Sequence, residues 1–298
     1  MLPVAAAGYR LPLLLSAATV GCRGSALKEC FKGMERAESS ENQPTAAEVP
    51  LRDTKTAEKR QTKSRLKYPR RHKMKFCIDD ANVEKIRRIY EYYPVDGVST
   101  NPSILAKAGR DPFEVLKEIR EIIGEDGELF VQATATTAEG MVEEAHKIVE
   151  VLGKTTLVKI PCVPEGFKAM KQLKKEGIRF IGTAIYTAMQ GFLAAKCGAE
   201  YVAPYVNRID NMGFDGVQVA MDIHDAITEN GLDSGLLAAS FKNSQQVLEL
   251  IRYGVKAVTV SPDVIDGLVK NPAIDAAIDQ FTKDFQGLVG EGKTMADC

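Results

Sequence analysis

From residue 75 onward, strand-like apolar runs and amphipathic helical stretches alternate without a break, and few folds accept that order. Apolar runs fall near 75–79, 97–100, 128–134, 155–160, 179–185, 201–206, 235–241 and 257–261. Helical spacing follows each, near 82–92, 112–123, 137–152, 165–176, 187–197, 214–229, 244–253 and 263–270, and a further helix near 272–287 closes the series. Within 137–152, Met141, Ala145, Ile148 and Val149 recur at steps of three and four, the period of one helix face. Thr136 with Glu139 predicts a capping box, and Asp111 before Pro112 predicts an N-cap followed by a first-turn proline. Strict alternation puts the strands in one parallel sheet, because each return needs a crossover. Eight units in about 225 residues fit an α/β fold of the (β/α)8 TIM-barrel type, with an extra C-terminal helix. An open doubly wound sheet is the alternative, but no Gly-x-Gly-x-x-Gly follows the first strand.

A barrel of this kind carries its chemistry at the carboxyl ends of the strands. Those ends read Asp79, Thr100 and Asn101, Gln132, Lys159, Thr183, Tyr205, Ser240 and Ser261. Helix capping accounts for Thr100, Asn101 and Ser261. It does not account for Gln132 or Lys159, which stand among apolar neighbours. Lys159 lies within Thr156-Leu157-Val158-Lys159-Ile160-Pro161-Cys162. Burying an ammonium there costs several kcal/mol by order of magnitude unless it is paired or loses its proton. Burial favours the neutral, nucleophilic amine that Schiff-base chemistry requires. An edge-strand lysine or a structural ion pair remains the alternative at this level.

Composition separates the chain into two parts. Residues 1–73 carry 15 Lys and Arg against 7 Asp and Glu, whereas 74–298 carry 24 against 33. The first part shows no sustained period and is expected to be a disordered basic extension; 74–298 is expected to be the catalytic barrel. Leu13–Val20 with Cys22 resembles the core of a weak secretory or lipid-bearing signal, but Arg10 is its lone leading charge. Because Met74 directly opens the first strand, translated upstream sequence is the preferred reading of 1–73. The run Lys63–Lys73 lacks aromatic interleaving, so nucleic acid is not an expected partner. No window of eighteen apolar residues is present, so no membrane contact is expected. The six cysteines form no CxxC or His-rich zinc spacing, and a reducing, cytoplasmic setting fits them best. His146 and His224 fall in helical patterns, so histidine catalysis has little support.

Several ordered segments resemble one known family. They are Val98-Ser99-Thr100-Asn101-Pro102-Ser103-Ile104, Gln132 with Ala135-Thr136-Thr137-Ala138-Glu139-Gly140-Met141-Val142, and Val158-Lys159-Ile160-Pro161. Gly182-Thr183-Ala184, Gln190-Gly191, the run Gly198 to Asp210, and Ala238-Ala239-Ser240-Phe241-Lys242 follow. Over 75–289 the chain resembles the transaldolase family, and within it the short fructose-6-phosphate aldolase branch. The resemblance implies Lys159 as the Schiff-base lysine, Asp79 in proton transfer and donor handling, and Asn101 as a donor ligand. It assigns Arg208 and Ser240 to the phosphate of the aldehyde partner, which suits the forked donors of a guanidinium. A surface ion pair of Arg208 with Asp210 or Asp222 is the plainer alternative.

Two positions bear on the branch. Transaldolases typically carry Glu where this chain has Gln132 and Phe where it has Tyr205. Gln132, Thr183 and Tyr205 together resemble the aldolase water site. The implied activity is reversible cleavage of fructose 6-phosphate to dihydroxyacetone and glyceraldehyde 3-phosphate, with no cofactor and no metal. Transfer of the dihydroxyacetone unit to an aldose phosphate is the alternative. The family also implies a homo-oligomer built from pentamers, a pentamer or a decamer. The face Ile274, Ala277, Ile278 and Phe281 of the last helix is expected to pack either on a neighbour or on its own barrel.

Overall fold

A computed structural model describes residues 73–298. The expectations for the basic extension, with Cys22, Cys30 and His72, lie outside the described residues. The strands are β1 Lys75–Asp79, β2 Gly97–Ser99, β3 Glu128–Gln132, β4 Leu157–Pro161, β5 Phe180–Ile185, β6 Tyr201–Pro204, β7 Gly235–Ala238 and β8 Ala257–Val260. Each pairs in parallel with the next, and β8 returns to β1 from Lys75↔Ala257 to Ile78↔Val260, which closes the barrel. The α-helices among the described residues are α1 Val83–Tyr92, α2 Pro102–Ala108, α3 Pro112–Ile123, α4 Ala138–Leu152, α5 Pro164–Glu176 and α6 Ala188–Lys196. They continue as α7 Val206–Asp210, α8 Gly216–Glu229, α9 Ser244–Tyr253, α10 Pro262–Val269 and α11 Pro272–Val289. The expected (β/α)8 barrel is the observed fold.

The period-two pattern of each strand splits its side chains between two cores. Cys77, Phe130, Leu157, Ile181, Tyr201, Ala203, Leu237 and Ala257 fill the barrel interior as one buried cluster. Their strand neighbours, among them Ile78, Leu129, Val131, Val158, Ile160, Val202 and Val258, face the helices in a second, larger core. A fully buried aliphatic side chain contributes about 1.5–3 kcal/mol. Leu157 points inward while Val158 and Ile160 point outward, so Lys159 must point inward. That orientation places the amine in the barrel without any special loop. Gly166, in the first turn of α5, lies so close to Pro161 that a side chain would run into the Pro161 carbonyl. The helix therefore begins tight against the end of the lysine's strand.

Several local details differ from expectation. Thr137, not Thr136, caps α4: its hydroxyl accepts from Gly140 N at 3.2 Å, and Glu139 pairs instead with Lys168 at 2.6 Å. Thr137 is the last residue with extended backbone, so only its hydroxyl faces the free amides. Asp111 caps α3 as expected, accepting from Glu114 N at 3.0 Å. β3, β6 and β7 stop short of 134, 206 and 241. Tyr205 makes a single bridge to Ala239 before α7 begins, and Ser240 turns left-handed with φ 61°. α2 and α7 add to the expected helices, and at seven and five residues they are too short to display a period. α11 buries no residue: Ile274 is 49%, Ile278 55% and Phe281 70% exposed, so that face does not pack on its own barrel.

Candidate active site

Lys159 sits in the middle of β4 and is 3% exposed. Its Nζ donates to Ser99 Oγ at 2.9 Å and to the Thr100 carbonyl at 2.9 Å. Among the described residues no carboxylate stands within ion-pair distance of it. Two acceptors consume both hydrogens of a neutral amine and leave its lone pair free. An ammonium would bring a third N–H into a buried place without a partner, at a cost of about 1–3 kcal/mol. Burial accordingly lowers the Lys159 pKa, helped by Arg208 and opposed by Asp79. Among the described residues the structural ion pair that the sequence left open for Lys159 is absent. β4 pairs on both sides, so it is no edge strand either.

Asp79 ends β1 at the barrel mouth and keeps some contact with solvent. Burial raises its pKa to about 6 against the downward pull of Lys159 and Arg208, with Asp80 adding a smaller push upward. A carboxylate poised there can hold or release a proton near neutrality. Gln132 ends β3 in register with Lys159, and its Oε1 is buried with no hydrogen-bond partner. Such an orphan acceptor is uncommon in a folded protein and calls for an unmade bond. Thr183, on β5, shares a hydrogen bond of 3.0 Å with the Tyr205 hydroxyl. Burial raises the Tyr205 pKa, against the influence of Thr183 and Arg208, so the phenol stays protonated and acts as a donor.

Asn101 caps α2, with Oδ1 accepting from Ile104 N at 3.1 Å; that leaves its amide nitrogen to point elsewhere. The capping account holds for Asn101 but not for its companions. The Thr100 hydroxyl donates to the Phe130 carbonyl at 3.0 Å, and Ser261 heads α10 without a side-chain cap bond. Arg208, on α7, lays its guanidinium carbon 4.6 Å from the centre of the Tyr205 ring. The surface ion pair is not made. Asp210 instead accepts from Gly216 N at 2.7 Å and Gln246 Nε2 at 2.5 Å, and Asp222 from Gln218 Nε2 at 2.8 Å. The Ser240 carbonyl accepts from Asn207 N at 2.9 Å, which ties the β7 exit to the helix carrying Arg208.

A cleft of about 400 Å³ opens beside Gln132, walled by Pro102, Thr134, Thr136, Pro161 and Val163. Another of about 330 Å³ lies between the β7 and β8 exits, lined by Phe241, Lys242, Asn243, Ser261 and Asp263. Lys159 lies in neither wall.

Sequence reasoning missed the parts that three residues play. Ser99 and the Thr100 carbonyl hold the lysine, yet the first was marked only within a family-like segment and the second as a cap. Tyr186, just after β5, meets Tyr205 edge to face at 5.7 Å and 83°, and no sequence signal marked it. No group of three or more His, Cys, Asp or Glu among the described residues could hold a metal, and none of the helices there is long and apolar enough to cross a membrane.

A closed parallel barrel with a desolvated lysine among polar strand ends defines a (β/α)8 protein with a buried amine at its centre. Residues 76–295 match the family model described as Transaldolase/Fructose-6-phosphate aldolase. The chain belongs to that family.

Proposed function

We propose that the protein is a Schiff-base aldolase that reversibly cleaves fructose 6-phosphate to dihydroxyacetone and glyceraldehyde 3-phosphate. The observation that carries this reading is the Lys159 amine, buried, without an ion pair, and offered two acceptors that suit its neutral form. Neutral Lys159 attacks the C2 ketone, and loss of water gives a protonated imine. That cation accepts the electron pair as C3–C4 breaks. The C4 hydroxyl gives up its proton in the same step. Asp79, with a pKa of about 6, suits the base better than Tyr205, whose raised pKa keeps it a donor. Arg208 and Ser240 hold the phosphate of the departing glyceraldehyde 3-phosphate. The enamine is then protonated through a water held by Tyr205 and Gln132, and hydrolysis of the imine frees dihydroxyacetone and Lys159. The Thr183–Tyr205 hydrogen bond and the orphaned Gln132 carbonyl support the water site, since they supply one donor and one acceptor.

The exposed face of α11 and the family resemblance support a homo-oligomer of this chain, a pentamer or a decamer, with that helix covered by a neighbour. A cytoplasmic setting remains part of the same reading.

The test is the time course of glyceraldehyde 3-phosphate release from fructose 6-phosphate, without acceptor sugar and with several substrate equivalents per site. Sustained turnover is expected, because water releases the donor. A burst near one equivalent that resumes only with erythrose 4-phosphate would make the protein a transaldolase.

A further inference from the structure

The connection from β5 to α6 is fixed more rigidly than a crossover requires. The β5–β6 register shifts between Gly182 and Ile185, and Ala184 takes φ 56°, a left-handed conformation that costs a non-glycine residue about 1–2 kcal/mol. Irregularities of this kind re-aim side chains beside sites. α6 then opens on a full capping box. Gln190 N donates to Thr187 Oγ1 at 3.4 Å, while Gln190 Oε1 accepts from Thr187 N at 3.1 Å and from Tyr186 N at 2.9 Å. Strain on one side and a cap on the other hold the backbone of Tyr186.

The side chain so placed meets both Tyr205 and Arg208. Its ring meets the Tyr205 ring edge to face, the Arg208 guanidinium lies on the face of that same Tyr205 ring, and the Tyr186 phenol is the foremost influence holding the Arg208 pKa up. Three other arginines are treated differently. Arg88, Arg110 and Arg179 each hold a carboxylate, Asp266, Glu118 and Glu200 respectively. A carboxylate orients a guanidinium but neutralises it and competes with any incoming anion. Two tyrosine side chains flank it without a carboxylate and leave its charge and its outer N–H donors for a ligand.

We propose that Tyr186 is a positioning residue that pre-orients Arg208 for the phosphate group of the substrate. This rests on the reading of Arg208 as the phosphate ligand. The assignment selects a phosphorylated aldehyde or ketose over its unphosphorylated analogue, and it acts through Arg208 without touching the reacting carbons.

The experiment measures Kd for inorganic phosphate by 31P titration of the full chain in wild type, Tyr186→Phe, Arg208→Gln and the double variant. Borohydride trapping of dihydroxyacetone, which carries no phosphate, is read in parallel. Phenylalanine keeps the ring edge on Tyr205 and removes only the phenol oxygen. Tyr186→Phe should weaken phosphate about tenfold, the value of one hydrogen bond to a charged group, and should change dihydroxyacetone trapping far less. Arg208→Gln should abolish phosphate binding, and adding Tyr186→Phe to it should change nothing further. Gln190→Ala, which loosens the cap, should shift phosphate affinity in the same direction by a smaller factor. Unchanged phosphate affinity in Arg208→Gln would overturn the phosphate reading and Tyr186 with it. Loss in Arg208→Gln with no change in Tyr186→Phe, or equal loss of phosphate binding and trapping in Tyr186→Phe, would overturn the Tyr186 assignment alone.

Discussion

The two ends of the barrel interior use the same residue types for opposite ends. At the amino end Lys75, Glu128, Arg179 and Glu200 form one linked set of ion pairs. Glu128 accepts from the Tyr201 hydroxyl at 3.3 and 3.4 Å, with Lys75 at 3.8 Å and Arg179 at 3.9 Å. Arg179 also grips Glu200 through two contacts, at 2.9 and 2.7 Å, and Lys256 lies 4.8 Å over the Tyr201 ring. At the carboxyl end a lysine, a carboxylate, an arginine and a tyrosine gather again, but among the described residues Lys159, Asp79 and Arg208 make no ion pair. Pairing turns buried charge into structure. Withholding the pair leaves a desolvated amine with a lowered pKa and a carboxyl group with a raised one, at the expense of stability. Whether a tyrosine or lysine in such a barrel is structural or reactive is therefore decided by what stands next to it.

The largest effect should come from the lysine. Lys159→Met should abolish borohydride-dependent labelling by dihydroxyacetone and reduce turnover by at least about a thousandfold; labelling that persists in this variant would sink the Schiff-base assignment. Next, Tyr205→Phe should slow hydrolysis of the trapped intermediate by about a hundredfold while leaving its formation less affected, as rapid-quench kinetics would read. Equal losses in the two steps would remove the water relay. At the opposite end, Glu128→Ala should cost about 2 kcal/mol in denaturant unfolding. That lies below the usual figure for a broken buried pair, because its cationic partners are about a third exposed. Turnover per folded molecule should hold steady, and a loss of turnover without a loss of stability would break the contrast between the two ends.

Smaller effects sharpen the contrast. The folded-state pKa of Asp79, about 6, lies above its ordinary value of 3.8, so the folded protein holds the extra proton between them. Its contribution to stability is thus complete below pH 3.8 and fades as pH rises through 6. Asp79→Asn should flatten that part of the stability–pH curve; an unchanged slope would mean that Asp79 is not perturbed. Smallest, Thr259→Val should stabilise the fold by about 1 kcal/mol. Thr259 is 1% exposed, faces the barrel interior between outward-facing Val258 and Val260, and its hydroxyl has no partner. Destabilisation would show that the hydroxyl makes a bond in solution.

Much of this architecture was legible in the chain because it is written at short range. Alternating periods of two and about 3.6 placed every strand, and the helices that fell within one or two residues of expectation were those long enough to show a face. Thr137, α2 and α7 escaped because a cap depends on which residue turns last, and a helix of one or two turns has no period to read. Lys159 and Gln132 stood out because polar groups inside apolar strands have no local explanation. Tyr186 did not, since a tyrosine in a loop looks ordinary, and nothing local ties Ser99 to a lysine sixty residues on.

By itself the sequence determined the strand–helix order, the parallel sheet and the inward lysine, all of which follow from the pattern of a few adjacent residues. Tertiary structure alone decided that β8 closes on β1, that Ser99 and Thr100 receive an amine sixty and fifty-nine residues away, and that among the described residues Arg208 lies on a tyrosine face and pairs with no carboxylate. The first two are contacts between distant segments fixed by strand register and barrel closure, and no local period encodes any of the three.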